Sequence, residues 1–263
     1  MRPDIERYIS VSAKIDTSDI DWDEAREAGL TDDEKFVLTY FSDIESQTIR
    51  YMKTLLQMKI AFTPSVSAFL TTWSYEEFFH GYELGRLLAV CGAPLEEDRV
   101  ESVTHKARFN EWLEAFFTPV LSRIFSNQFP AVYLSFGAIQ EMTTLRGYEN
   151  LHHYTCNPVL KILCERIAKQ ERRHFAWYFN HARELLLESS GARILARKLL
   201  EFNWVPVGAG VKSPEEVKRL FLTLFPRESA RKLVREIDSK MGSLPGFEGI
   251  RLMEPYFERA GAL

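Results

Sequence analysis

Six ionisable residues stand where a soluble helical chain should be apolar, and they limit the possible folds of this sequence more than any other feature. Glu45 lies on the line Val37, Phe41, Glu45, Thr48/Ile49, Met52, and Glu77 and His80 interrupt Phe69, Trp73 and Leu84. Glu141 sits among Leu134, Ala138, Leu145 and Tyr148, and Glu171 and His174 lie between Ile167 and Tyr178. Each line follows the helical repeat, so each charged group is aimed at the core. A carboxylate buried alone costs on the order of several kcal/mol, so four of them require a cation, a partner or a proton.

The helices that carry these lines have recognisable ends. Thr31-Asp-Asp-Glu34 is a capping box that opens a first helix to about Ala61. Pro64 opens a second, stopped by Gly92 and Pro94, with Cys91 on its stripe. The connection from Arg99 to Gln128 is expected to hold helices broken near Pro119. Pro130 leads into a third helix, Ala131 to Tyr148, and Asn157-Pro158 caps a fourth that runs to Ser190-Gly191. Strand-like alternation is nearly absent. The segment from Trp204 to Gly210 is irregular, and Ser213-Pro-Glu-Glu216 caps a short helix to Leu224. The expected fold is therefore all-α: a ferritin-like four-helix bundle over about 31–190, with additional helices and a C-terminal helical extension over about 191–263, in one domain spanning 1–263. Composition leaves open whether the extension is a separate cap or further helices packed on the bundle.

Of the 263 residues 46% are hydrophobic and 27% charged, which excludes disordered and disulfide-scaffold classes. The net charge of -4 offers no pull toward nucleic acid. No apolar run reaches the roughly 20 residues of a membrane span, and the first residues lack a signal peptide's apolar segment. Cys91, Cys156 and Cys164 form no CxxC pair and read as buried apolar residues in a cytoplasmic protein.

Glu-x-x-His puts both side chains on one helix face, so the pair can serve one site without bending the backbone. Chance gives fewer than one such pair at this composition, and the chain has three. Order separates two of them from the third: Glu45 precedes Glu77/His80 much as Glu141 precedes Glu171/His174, an internal repeat. Two copies facing each other supply four carboxylates and two imidazoles around one cavity. Carboxylate with imidazole suits iron or manganese, and the missing thiolates argue against structural zinc. Glu149/His152 lacks a matching glutamate and reads as a surface or helix-end pair.

Trp73-Ser-Tyr-Glu-Glu-Phe-Phe-His80, Ser135-Phe-Gly-Ala-Ile-Gln-Glu-Met-Thr-Thr144 and Ile167-Ala-Lys-Gln-Glu-Arg-Arg-His174 resemble the helix 2, 3 and 4 motifs of the soluble acyl-acyl-carrier-protein desaturases, ferritin-like di-iron enzymes. The likeness spans roughly Lys35 to His181. It implies two iron ions held by Glu45, Glu77, His80, Glu141, Glu171 and His174, with O2 as co-substrate and Thr144 beside the site to help move protons. It also implies an acyl-carrier protein as substrate bearer, a ferredoxin-type electron donor and a homodimer. Gln170 departs from the family, which usually has an acidic residue there. Desaturation is the first expectation, and a di-iron hydroxylase or N-oxygenase in a specialised pathway is the alternative. Iron storage and a helical interaction module compete less well.

Tyr133, Phe136, Gly137, Phe175 and Tyr178 read either as an acyl slot or as core. Two basic sets read either as a dock for an acidic carrier or as solvated faces: Lys161, Arg166, Lys169, Arg172 and Arg173 on the fourth helix, and Lys212, Lys218, Arg219, Arg227, Arg231 and Lys232 in the tail. His181 reads as a support for the site or a core histidine, while His105, His152 and His153 lack metal-ligand spacing.

Overall fold

The computed structural model describes residues 5–56, 58–96, 99, 125, 127–209, 211–225 and 227–263, and among them it is helical with no strand. The helices are α1 (Ile5–Val11), α2 (Trp22–Ala28), α3 (Asp32–Glu45), α4 (Thr48–Leu55), α5 (Pro64–Val90), α6 (Phe129–Tyr154), α7 (Pro158–Glu188), α8 (Ser190–Asn203), α9 (Pro214–Leu224), α10 (Arg227–Met241) and α11 (Met253–Arg259), with a 3-10 turn at Lys59–Phe62. The expected helices around Pro119, and His105, lie outside the described residues.

Four helices form the bundle: α3 pairs with α5, and α6 with α7. Their starts follow the local chemistry. The Thr31 hydroxyl accepts from the Glu34 amide while the Glu34 side chain returns to the Thr31 amide. Pro64 opens α5, and Pro130 lies in the first turn of α6, where a missing N–H costs nothing. Asn157 caps α7 through the Leu160 amide and also donates to the carbonyls of Ala25 and Gly29, locking α2 onto the bundle.

The first helix does not run unbroken to Ala61. It ends at Glu45, where the Ser46 hydroxyl bonds back to Ser42 O and the Gln47 amide tightens onto Ile44 O, before α4 restarts at Thr48. The ladder shifts from an i−4 bond at the Ser46 amide to an i−3 bond at Gln47, a break that apolar spacing does not reveal. Ile49, expected on the core stripe, is 62% exposed as a result. At the other end, Ser189 both terminates α7 and caps α8 through the Ala192 amide, so Gly191 lies inside α8 instead of stopping a helix. The third helix starts slightly earlier and runs two turns further than its stripe, to Tyr154.

Close approach of α3 and α5 depends on Gly81: a Cβ there would lie 3.2 Å from the Glu45 Cβ and 3.3 Å from Ser42 O. The Ser42 hydroxyl donates to Gly81 O across the same contact. The extension packs on the bundle. Ala192, Ala196 and Leu200 of α8 are buried, and α8 packs on α6. Phe221 of α9 stacks on Phe257 of α11 at 3.6 Å. Tyr40 donates to Val207 O, and Lys212 reaches the buried Asp43, which also takes two bonds from Arg99. One hydrophobic cluster runs from Tyr8 to Ala262. Among the described residues no helix is long and apolar enough to cross a membrane.

Candidate metal centre

The four helices bring all six sequence-predicted ligands together at the bundle centre. Glu45 comes from the last turn of α3, Glu77 and His80 from α5, Glu141 from α6, and Glu171 and His174 from α7. Their ligand atoms form two groups, Glu45/Glu77/His80/Glu171 and Glu77/Glu141/Glu171/His174, each with all atoms within 4.8 Å of one another. Glu77 and Glu171 belong to both. The arrangement is that of two adjacent cation positions, each with one private glutamate and one private histidine, joined by two shared carboxylates.

All six are buried. His80 Nδ1 lies 3.0 Å from Glu171 Oε1, and His174 Nδ1 lies 2.9 Å from Glu77 Oε1. Neither pair has hydrogen-bond alignment: Glu77 Oε1, both Glu171 oxygens and the Nδ1 atoms of both histidines are buried without such a partner. The outer ring nitrogens are occupied, His80 Nε2 at 2.7 Å from Gln170 and His174 Nε2 at 2.8 Å from Glu76. Each imidazole therefore points its Nδ1 inward, the atom a metal would take in exchange for a proton.

Charge balance points the same way. Burial, then the neighbouring Glu77, pushes the Glu45 carboxyl well above its ordinary range, and burial with Glu171 does the same to Glu141. Glu77 is raised to about 7, by burial first and Glu171 next. Burial also acts to raise Glu171, but His174 and His80 beside it outweigh this and hold it below its usual value. Both histidines are raised although burial opposes it, His80 by Glu171 and then Glu45, and His174 by Tyr8 and then Glu141, Glu171 and Glu76. Without a cation the carboxylates must borrow protons, whereas two divalent cations neutralise four carboxylates outright. The donor set and its unpaired inward atoms fit a metal ion.

Beside the carboxylates lies a small cavity walled by Ile44, Thr48, Trp73, Tyr133, Phe136, Gly137, Thr144, Tyr178 and Val207. Thr144 lines the same cavity one turn beyond Glu141. Four of the five expected slot residues line this space, but Phe175 does not; it packs half-buried on Phe179 at 5.3 Å. Gly137 is required here, since a Cβ would meet the Tyr178 ring at 2.6 Å. Thr144 and Val207 also border a second apolar pocket, between Phe41, Gly147, Val217, Leu220, Phe221 and Phe257.

Other expected features lie elsewhere. Glu149 pairs with Arg146 and Arg172, and His152 Nδ1 faces Lys161 O at 3.1 Å, away from the centre. His181 stacks on Trp177 at 4.0 Å. Cys164 is buried as expected, but Cys91 is only half-buried at the end of α5 and Cys156 is exposed in the link before α7. The basic face of α7 is largely committed: Arg166 to Asp19, Arg172 to Glu149, Arg173 to Glu76. In the tail Lys212 is held by Asp43 and Arg219 by Asp33.

Two supporting groups escape the sequence reading. Glu76, fully buried beside Glu77, holds His174, and Tyr148 donates to Glu45 Oε1 at 2.7 Å. Glu76 is matched across the helices by Arg173, a pairing that only the fold reveals. Comparison of the chain with protein-family models, with curated proteins and with solved structures finds no match.

Proposed function

We propose that the protein is a di-iron, O2-dependent oxidoreductase that acts on a C–H bond of an apolar chain, as an acyl-acyl-carrier-protein desaturase. The observation that carries the reading is the pair of interlocked Glu/His groups sharing Glu77 and Glu171, set against an apolar cavity. Two iron ions bound there supply the redox capacity to reduce dioxygen and attack an unactivated C–H bond. The six ligands hold the ions. Tyr133, Phe136 and Tyr178 present apolar surface that positions the reacting carbon and excludes water. Thr144, a neutral donor and acceptor on the wall, holds and passes protons next to Glu141.

The second apolar pocket, reached past Thr144 and Val207, accommodates the rest of the acyl chain and gives the C-terminal extension its role. Arg231, Lys232, Arg235 and Lys240 line one exposed groove on α10 with Glu236, and although Arg231, Lys232 and Arg235 pair with Glu258, Glu236 and Glu254, the surplus of cations in the groove forms the dock for an acidic carrier protein. A ferredoxin-type donor and a homodimer belong to the same proposal.

Reconstitution with ferrous iron under argon tests it: the wild-type chain should take up two irons, Glu171→Ala, which removes a shared ligand, should lose both, and Glu141→Ala, which removes a private one, should keep about one. Exposure to oxygen with a reductant and a carrier-bound acyl substrate should then yield a product lacking two hydrogens by mass spectrometry. A product carrying an added oxygen atom would move the assignment to hydroxylase or N-oxygenase. A chain that binds no iron would end the enzyme reading.

A further inference from the structure

We propose that the two metal positions are held unequally, the His174 position more tightly than the His80 position, because residue Ala13 fixes an amide behind one histidine while a carboxylate stands behind the other. The inference rests on the dinuclear reading above.

The N-terminal segment after α1 lies across the outer side of both histidine supports. The Ala13 amide donates to Glu76 Oε1 at 3.3 Å, and the Ala13 carbonyl accepts from Gln170 Nε2 at 2.8 Å. One residue thus touches the group behind His174 and the group behind His80. A carbonyl only accepts, so the Gln170 amino group must face Ala13 and its oxygen must face His80, which makes His80 the Nε2–H donor. A carboxylate at position 170 would set an acceptor against the Ala13 carbonyl. The path of the segment therefore calls for an amide at position 170.

Behind His174 the situation is opposite. Glu76 faces three donors besides the imidazole: the Tyr8 hydroxyl at 3.0 Å, Arg173 at 2.6 Å and the Ala13 amide. Acceptors alone satisfy such a setting, and a carboxylate provides them. An imidazole that gives its outer N–H to a carboxylate is a stronger metal ligand than one that gives it to a neutral amide. The private glutamates shift the balance the same way, since Glu45 shares one oxygen with the Tyr148 hydroxyl.

Anaerobic titration of the full chain with Co(II), followed by visible absorption against a competing chelator, tests the inequality. Wild type should bind in two steps separated by about tenfold or more in affinity. The weaker step should vanish in His80→Ala and the stronger in His174→Ala. Gln170→Leu should weaken only the weaker step, by about tenfold or more, and Glu76→Gln only the stronger. Thermal midpoints of the metal-free variants check that each is folded, and the wild-type step separation stands whether or not they are. Two equal steps in wild type, or loss of the weaker step in His174→Ala, would overturn the inequality while leaving the dinuclear site intact. A wild-type chain that takes up no cobalt would overturn both.

Discussion

In the α3/α5 pair, the helix that carries the first glutamate stops at Glu45 itself, whereas in the α6/α7 pair the corresponding helix continues past Glu141 to Tyr154. Both pairs present a glutamate opposite a Glu-x-x-His, yet they are built unequally around it. Leu160, Leu163 and Ile167 bury completely along α7, while beyond the break α4 turns Ile49 toward solvent. Behind the ligands, an amide supports one histidine and a carboxylate the other. The two Glu/His groups are thus alike only at their inward-facing atoms. Helix length, capping and outer support are free to differ, and each difference can be probed.

The largest effect should separate shared from private ligands. Glu171→Ala removes a carboxylate common to both groups and should abolish both metals, whereas Glu45→Ala removes a private one and should leave about one metal per chain by elemental analysis. Equal losses would erase the distinction. Next in size is the packing contrast: Leu163→Ala in the α6/α7 pair should cost about 2–5 kcal/mol in chemical denaturation, and Ile49→Ala less than about 0.5 kcal/mol.

The metal-free chain should also show a distinctive pH profile. Glu45, Glu77, Glu141, His80 and His174 are all raised in the folded state, so each contributes stability that is fully present below its unfolded value and lost as pH rises through the folded one. Glu171 is lowered, and its contribution is lost only as pH falls below the usual carboxylate range. The thermal midpoint of metal-free protein should therefore fall between about pH 5 and 8, and metal loading should flatten that decline. A midpoint that rises over this range without metal would contradict the charge balance described for the centre.

The smallest contrast concerns the caps. Asn157→Ala removes a helix cap and two bonds to α2 in a buried setting and should cost more than Thr31→Ala, which removes an exposed cap worth about 1 kcal/mol. Thermal melts of the two variants measure the difference directly.

Much of this site was legible in the sequence because a charge on an apolar stripe is a local signal. Glu45, Glu77, His80, Glu141, Glu171 and His174 each announce themselves on their own helix, and the repeat order pairs them. The all-α class follows from the same periodicity and from the caps at Thr31, Asn157 and Ser213. The break after Glu45 was not legible, since the apolar stripe runs on through Thr48 and Met52 while the backbone ladder shifts to an i−3 bond at Gln47, which spacing does not encode. Nor were the supports. Glu76 reads as an ordinary polar residue until α7 places His174 and Arg173 against it, and Gln170 reads as a departure from a motif until Ala13, far away in the chain, supplies the carbonyl that requires an amide. Such contacts belong to the tertiary fold and leave no periodic trace.

The most direct test of the central claim is iron K-edge X-ray absorption on chain reconstituted with ferrous iron under argon. Two irons per chain are expected, with nitrogen and oxygen ligands only and an iron–iron vector of about 3.5–4 Å, the spacing of two-metal sites. A single isolated iron with no metal–metal vector, or a sulfur ligand, would contradict it.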